Sequence, residues 1–72
     1  MNDILLYKDT NGEVRAVFQG KDMAFKDLNL PLIVNLFKAT GSTPNINLKD
    51  ASDPDLNYLK SSLSESLKRL GL

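Results

Sequence analysis

Carboxylates are the main candidates for chemistry in this chain, because the sequence contains no histidine and no cysteine. Those two residue types supply most of the nucleophiles and general bases that work near neutral pH. Nine acidic residues are present, and the densest group of them is Asp50, Asp53 and Asp55. Carboxylates grouped in this way would suit Ca²⁺, which prefers oxygen ligands.

An EF-hand calcium loop nevertheless does not fit this acidic segment. Such a loop needs a glycine at its sixth position and a glutamate at its twelfth, and counting from Asp50 these positions hold Asp55 and Ser61. Aspartate and serine are also the residues that favour the start of a helix. We therefore interpret the acids as helix caps and predict no metal, no cofactor and no small-molecule substrate. A glycine-rich phosphate-binding loop is absent as well, so the protein is not expected to be an enzyme and no catalytic residue is assigned.

The segment that follows these acids, residues 54–70, predicts an amphipathic helix. Its leucines recur at spacings of three and four residues and form one apolar stripe: Leu56, Leu59, Leu63, Leu67 and Leu70. The polar side of the helix is rich in serine, which lets another helix approach closely, and it carries an aromatic residue of the kind enriched at interfaces. We assign a candidate partner-binding surface to this outer face, with the residues Tyr58, Ser62, Glu65 and Arg69.

The end of this helix, SLSESLKRLGL at residues 62–72, resembles the recognition helix of bacterial winged-helix repressors, in which a serine-rich helix runs into LKRLGL. The resemblance implies a small DNA-binding regulator that uses its C-terminal helix. The chain departs from that family where a β-wing should follow Leu72, and the acids Asp53 and Asp55 occupy the helix end that normally enters the groove. The formal net charge is zero, so the basic excess that drives phosphate binding is missing. DNA binding is therefore the alternative hypothesis.

Residues 3–19 predict a β-hairpin, because Asn11-Gly12 lies between two apolar runs. A two-residue turn would place Lys8 opposite Arg15, whereas a four-residue loop would place it opposite Glu13 and is favoured by charge. Both registers put the same residues on the core face: Leu5, Tyr7, Val14, Ala16 and Phe18.

The other face of the hairpin then carries more aliphatic residues than a solvated sheet face should. Either the termini or a loop cover it, or it is a surface for a partner or a second copy of the chain. The candidate partner-binding residues on this face are Ile4, Leu6, Arg15 and Val17.

Three further segments complete the expected elements. Residues 23–26 alternate like a short third strand. Residues 30–40 form a helix that is apolar on nearly every side, is capped by Asp27 or Asn29, ends at Gly41, and must be covered by other elements. Residues 45–48 alternate and would form either a short strand or a turn of helix.

The sequence thus predicts a single α+β domain over residues 1–72. An N-terminal antiparallel β-hairpin or three-stranded meander packs on two helices, of which the second is C-terminal and amphipathic. A core of this size is marginal without disulfides or a metal, so we expect self-association as a homodimer. We predict a non-catalytic protein-protein interaction module of the accessory or inhibitor type that phages and plasmids encode. A cytoplasmic location is expected, since cysteine is absent and no apolar run reaches the roughly 20 residues that span a membrane.

Overall fold

The computed structural model describes residues 3–72, and these begin with a β-hairpin. Strand β1 (Asp3–Lys8) pairs antiparallel with strand β2 (Val14–Phe18). Ile4 lies opposite Phe18, and Leu5 lies opposite Val17. Lys8 consequently pairs with Val14, the first residue of β2, and neither of the two expected registers, including the one favoured by charge, is the one that forms.

The loop between the strands explains this register. The N–H of Gly12 donates to the C=O of Asp9 over 3.0 Å, and the N–H of Asp9 donates to the C=O of Glu13 over 2.9 Å. These bonds close a three-residue loop. A carboxylate oxygen of Asp9 also accepts the N–H groups of Asn11 and Glu13 at 2.8 and 3.0 Å. Gly12 has φ +80°, the left-handed conformation that three-residue hairpin loops require and that glycine adopts without strain.

The odd length of this loop decides which side chains of β1 face the core. Both expected loops were even, and a shift of one residue moves every side chain of a strand to its other face. The prediction that Leu5 and Tyr7 point to the core is therefore wrong. Ile4 and Leu6 occupy the core instead, with 0% exposure each. The assignment of β2 is correct, because Ala16 and Phe18 are buried.

A tight turn at Gln19-Gly20 leads from β2 into strand β3 (Lys21–Ala24). Both turn residues have positive φ, 53° and 77°, as is typical of a two-residue hairpin turn. The strand begins before the predicted position 23, because this turn ends at Gly20 and Lys21 already pairs with Phe18. It ends at Ala24, before the predicted position 26, because the chain leaves the sheet in a single 3-10 turn at Phe25–Asp27. The predicted three-stranded meander is thus present as part of the sheet.

The first helix, α1 (Leu30–Thr40), begins and ends where the sequence predicts. The side-chain oxygen of Asn29 accepts the N–H of Leu32 at 3.1 Å, and Gly41 ends the helix at φ 68°, both of which are common helix-end arrangements. The inner side of the helix is buried at Ile33, Val34 and Phe37. Leu32 stays 53% exposed, so the apolar surface of this helix is not completely covered.

The segment after α1 adds a fourth strand, β4 (Asn45–Leu48), which pairs parallel with β1. The strand alternative for residues 45–48 is therefore the correct one. Ile46 lies beside Ile4 and is buried with it. The strand order is β3-β2-β1-β4, so β1 lies inside the sheet while β3 and β4 form its two edges.

The last helix, α2 (Pro54–Arg69), carries the predicted leucine stripe. Asp53 is its N-cap, and a carboxylate oxygen of Asp53 accepts the N–H of Asp55 at 2.9 Å and that of Leu56 at 3.4 Å. The inner leucines Leu56, Leu63 and Leu67 are buried, Leu59 is half-buried, and Leu70 is 45% exposed.

Both helices pack on the same face of the sheet and share one core with it, so the domain is a two-layer α+β fold. The buried residues of that core are Ile4, Leu6, Ala16, Phe18, Ile33, Val34, Phe37, Ile46, Leu56, Leu63 and Leu67. None of the helices described over residues 3–72 lies on the opposite face, which is left without a second layer.

Candidate functional site

The uncovered face of the sheet is the strongest candidate for a functional site, and we call it the open face. The strand pairings place these side chains on it: Leu5, Tyr7, Arg15, Val17, Asp22, Ala24, Asn47 and Lys49. The apolar residues at its centre, Leu5 and Val17, lie opposite each other on β1 and β2 and are half-buried. They are surrounded by polar groups, as in the core and rim of a protein interface.

The hairpin residues predicted to bind a partner divide between the two faces of the sheet. Arg15 and Val17 lie on the open face, as expected. Ile4 and Leu6 do not, since both are fully buried under the helices and are not accessible to a partner in the folded chain. Leu5 takes their place on the open face.

One signal in the sequence would have identified the correct residues. An aspartate at the first position and a glycine at the fourth are typical of a β-turn, and Asp9 and Gly12 have that spacing. A turn over these residues leaves a three-residue loop, and that loop length puts Leu5 and Tyr7 on the open face.

A hydrogen-bonded network crosses three strands of the open face. The hydroxyl of Tyr7 on β1 donates to Oδ2 of Asp22 on β3. Nε of Arg15, on β2 between them, donates to Oδ1 of Asp22 over 2.7 Å. Both carboxylate oxygens are therefore occupied, and the phenol and the guanidinium each have a hydrogen-bond partner on the same face. Side chains that are ordered before binding lose less entropy when a partner binds.

These contacts shift the pKa of each group in the network. The hydrogen bond to Asp22, with some desolvation, raises the pKa of the Tyr7 phenol above its ordinary value of 10.0. Hydrogen bonds from Tyr7 and then Arg15 lower the pKa of the Asp22 carboxyl below 3.8. The carboxylate also raises the pKa of the Arg15 guanidinium. The network therefore contains a neutral phenol, a carboxylate and a guanidinium at neutral pH.

Lys49 extends the polar rim of the open face beyond the end of β4. Its ammonium group lies 5.5 Å from the centroid of the Tyr7 ring, within the range of a cation–π contact. Tyr7 therefore contacts both Asp22 on the edge strand β3 and Lys49 just beyond the opposite edge strand, β4. Tyr7 and Arg15 belong to the residue types that are enriched at protein interfaces.

The predicted surface on the outer face of α2 consists of residues that share one stripe of the helix. Tyr58 is 72% exposed, and Glu65 and Arg69 are exposed as well. Ser62 is half-buried and lines a groove between α2 and the start of α1, together with Phe25, Leu28 and Leu30. This stripe remains a candidate partner-binding surface.

The acidic segment before α2 has the structural role that its pattern indicates. Lys8 lies with Nζ 3.2 Å from Oδ2 of Asp53 and 2.8 Å from Oδ2 of Asp55. Burial alone would raise the pKa of Asp53, but hydrogen bonds from Lys8 and from the backbone N–H groups of Asp55 and Leu56 lower it overall. The start of α2 is thereby connected to the end of β1 by two ion pairs.

Metal-binding and membrane-spanning features are both absent from the described part of the chain. Residues 3–72 contain no group of three or more acidic side chains placed to hold a metal ion. No helix within the same range is both long and apolar enough to cross a membrane. The helix-turn-helix arrangement of winged-helix repressors also differs from the one described, in which β4 separates α1 from α2.

Comparisons with known proteins do not extend this description. No protein-family model, no curated protein and no solved structure has a significant match to the chain. The candidate site is therefore defined by its own geometry: an apolar centre, a hydrogen-bonded Tyr7–Asp22–Arg15 network, and Lys49 at the rim.

Proposed function

We propose that the protein is a non-catalytic protein-interaction module that binds a partner protein through its open face. The observation that carries this proposal is a four-stranded sheet with both helices on one side and a half-buried apolar centre on the other. An exposed apolar patch with a polar rim is a common mark of an interaction site on a soluble domain. The hydrogen-bonded aromatic and guanidinium groups add anchors of the kind that dominate binding energy at interfaces.

We also propose that the module associates with itself. The chain has 72 residues and no cysteine, and a domain of this size gains stability from oligomerisation when no disulfide or metal supplies it. Size, neutral charge and the lack of catalytic residue types are in keeping with a cytoplasmic accessory or inhibitor protein. Residues 3–72 also leave two sheet edges available for pairing with another chain.

Affinity purification from the native host tests the open face directly. Wild-type protein is compared with Val17→Lys, which places a charge at the apolar centre, and with Tyr58→Ala, which alters only the exposed outer face of α2. We expect a stoichiometric protein partner to be retained by wild type and by Tyr58→Ala and to be lost with Val17→Lys. Circular dichroism of each variant establishes that the fold is intact.

The opposite pattern, in which only Tyr58→Ala loses the partner, would move the binding surface to α2. Gel-mobility shifts with mixed-sequence duplex DNA address the alternative hypothesis with the same samples. Binding that weakens steeply with salt and is lost when Lys60, Lys68 and Arg69 are replaced by glutamine would favour DNA binding by α2 over the proposed function.

A further inference from the structure

We propose that two copies of the chain associate through the free edge of β4, in an antiparallel two-fold pair that joins their sheets into one. This proposal gives the self-association of the proposed function a defined interface. In the resulting dimer all four helices lie on one side of the joined sheet, and the two open faces lie side by side on the other. Partner binding at the open face is centred on Leu5 and Val17 of the inner strands, and the dimer edge shares with that face only the rim residues Asn47 and Lys49.

The backbone groups of two residues of β4 point to this free edge. The N–H of Lys49 donates to the C=O of Leu6 over 3.0 Å, and in a parallel ladder alternate residues turn their backbone groups to the same neighbour. The backbone N–H and C=O groups of Asn47 therefore point to β1, as the N–H of Lys49 does. Those of Ile46 and Leu48 point away from β1, to the free edge. Within residues 3–72, none of these outward groups has a hydrogen-bond partner.

A two-fold axis at Asn47 pairs all of these groups. It places Ile46 opposite the partner's Leu48, and such a pair exchanges two N–H···O=C bonds. The symmetry repeats the exchange on the other side of the axis. An axis at Ile46 would instead place Leu48 opposite the partner's Pro44, which has no N–H to donate. Of these two registers, only the one centred on Asn47 uses every outward donor and acceptor of Ile46 and Leu48.

The charges near the axis are complementary in this register. Lys49 lies opposite the partner's Asn45, so no like charges face each other along the pair. Asp50 lies opposite the partner's Pro44, and Pro44 lines a groove together with Lys68. Oδ1 of Asp50 accepts the N–H and the hydroxyl of Ser52 over 3.0 and 2.6 Å, so Oδ2 is the oxygen that this register brings to the basic end of the partner's groove, and the two-fold axis forms this attraction twice.

The groove itself lies between β4 and the C-terminal half of α2 and has a volume of about 130 Å³. Its lining is mostly apolar or small: Thr43, Pro44, Ile46, Ser64, Leu67 and Leu72, with Lys68 at the rim. Paired strands lie about 4.8 Å apart, so edge pairing brings the two α2 helices close to each other. Ser64 is small enough to allow this approach, so the serine-rich side of α2 would serve to let the two helices pack closely.

The other edge of the sheet is less suited to pairing. Strand β3 contains Lys21 and Asp22, and charged residues, lysine above all, protect sheet edges against pairing. The chain also leaves that edge in the 3-10 turn at Phe25–Asp27. Strand β4 contains no charged residue over Asn45–Leu48, so the structure favours β4 as the dimer edge.

Multi-angle light scattering on the eluted protein provides the first test. A two-fold dimer should elute with twice the chain mass of 8.0 kDa. Asn47→Lys and Asn47→Asp each place two like charges opposite each other at the axis, so both variants should elute at the mass of one chain. Asn35→Lys adds the same charge at an exposed position on α1 and should leave the dimer intact.

Mixing the two variants is the decisive experiment. Asn47→Lys and Asn47→Asp chains face each other with opposite charges, so an equimolar mixture should recover the dimer mass that neither variant has alone. An Asn47→Cys variant supplies an independent readout, since the chain has no other cysteine and non-hydrogen-bonded antiparallel pairs bring Cβ atoms into disulfide range. It should crosslink much faster than Asn35→Cys under mild oxidation.

The possible failures point to different parts of the proposal. A wild-type protein that elutes as one chain at millimolar concentration overturns self-association as well as the β4 interface. A wild-type dimer that survives Asn47→Lys, or a mixture that stays monomeric, overturns the β4 interface alone. Equal crosslinking at positions 47 and 35 overturns it too. The open-face variant Val17→Lys should leave the dimer mass unchanged, so loss of partner binding is measured separately.

Discussion

The ammonium group of Lys8 lies 3.2 Å from a carboxylate oxygen of Asp53, and this contact joins the last residue of β1 to the N-cap of α2. The second oxygen of the same carboxylate accepts backbone N–H groups of the first helical turn. One side chain thus caps a helix and connects that helix to the strand at the centre of the sheet. Because the two residues are far apart in the sequence, the contact forms only when sheet and helix are docked.

The dual role of Asp53 predicts unequal effects for two substitutions. Asp53→Ala removes the cap and the ion pair, and we expect Tm to fall by about 4–8 °C, the shift that corresponds to the loss of one helix cap in a domain of this size. Asp53→Asn should cost less, because asparagine is itself a good N-cap. Thermal unfolding followed by circular dichroism measures both. Equal losses would mean that the cap contributes little.

The free energy of unfolding should decrease in acid, because two carboxyl groups have lowered pKa values in the folded chain. The pKa values of Asp22 and Asp53 are below their ordinary value of 3.8 in the fold. The unfolded chain therefore binds protons more readily, so this stabilisation is complete above pH 3.8 and is lost as the pH falls through the folded pKa values. Urea midpoints measured from pH 6 downward should show this decrease. The double variant Asp22→Asn, Asp53→Asn should have a lower urea midpoint at pH 6, and its midpoint should change less as the pH falls.

The phenol of Tyr7 should titrate above its ordinary pKa of 10.0. The chain has two tyrosines, so the variant Tyr58→Phe isolates the absorbance of the Tyr7 phenolate. We expect its midpoint to lie above 10.0 and to move down when Asp22→Asn is added, because the asparagine carries no negative charge. A midpoint that does not respond to Asp22→Asn would show that the network does not form in solution.

The two adjacent leucines of β1 should respond very differently to truncation. Leu6 has 0% exposure, so Leu6→Ala should cost about 2–5 kcal/mol of unfolding free energy. Leu5 is half-buried on the open face, and Leu5→Ala should cost about 1 kcal/mol or less. Urea unfolding compares the two variants. A larger loss of unfolding free energy for Leu5→Ala than for Leu6→Ala would contradict this register and favour the expected one, in which Leu5 faces the core.

Local patterns in the sequence are sufficient for the helices and for most element positions. Pro31, Asn29 and Gly41 define the bounds of α1, and the leucine spacing together with Asp53 defines α2. These signals act within a few residues, because a cap or an apolar stripe depends on the helical repeat alone. The same reasoning explains the acids before α2 as caps, which the hydrogen bonds of Asp53 confirm.

The tertiary structure decided what depends on pairing between distant segments. The parallel contact of β4 with β1 turned the predicted meander into a mixed sheet, and nothing local in Asn45–Leu48 specifies that neighbour. One residue in the length of the hairpin loop determined whether Ile4 and Leu6 or Leu5 and Tyr7 lie outside. Strand side chains alternate with a period of two. The odd length of the loop therefore buries Ile4 and Leu6, which were predicted to bind a partner, and places Leu5 on the open face instead.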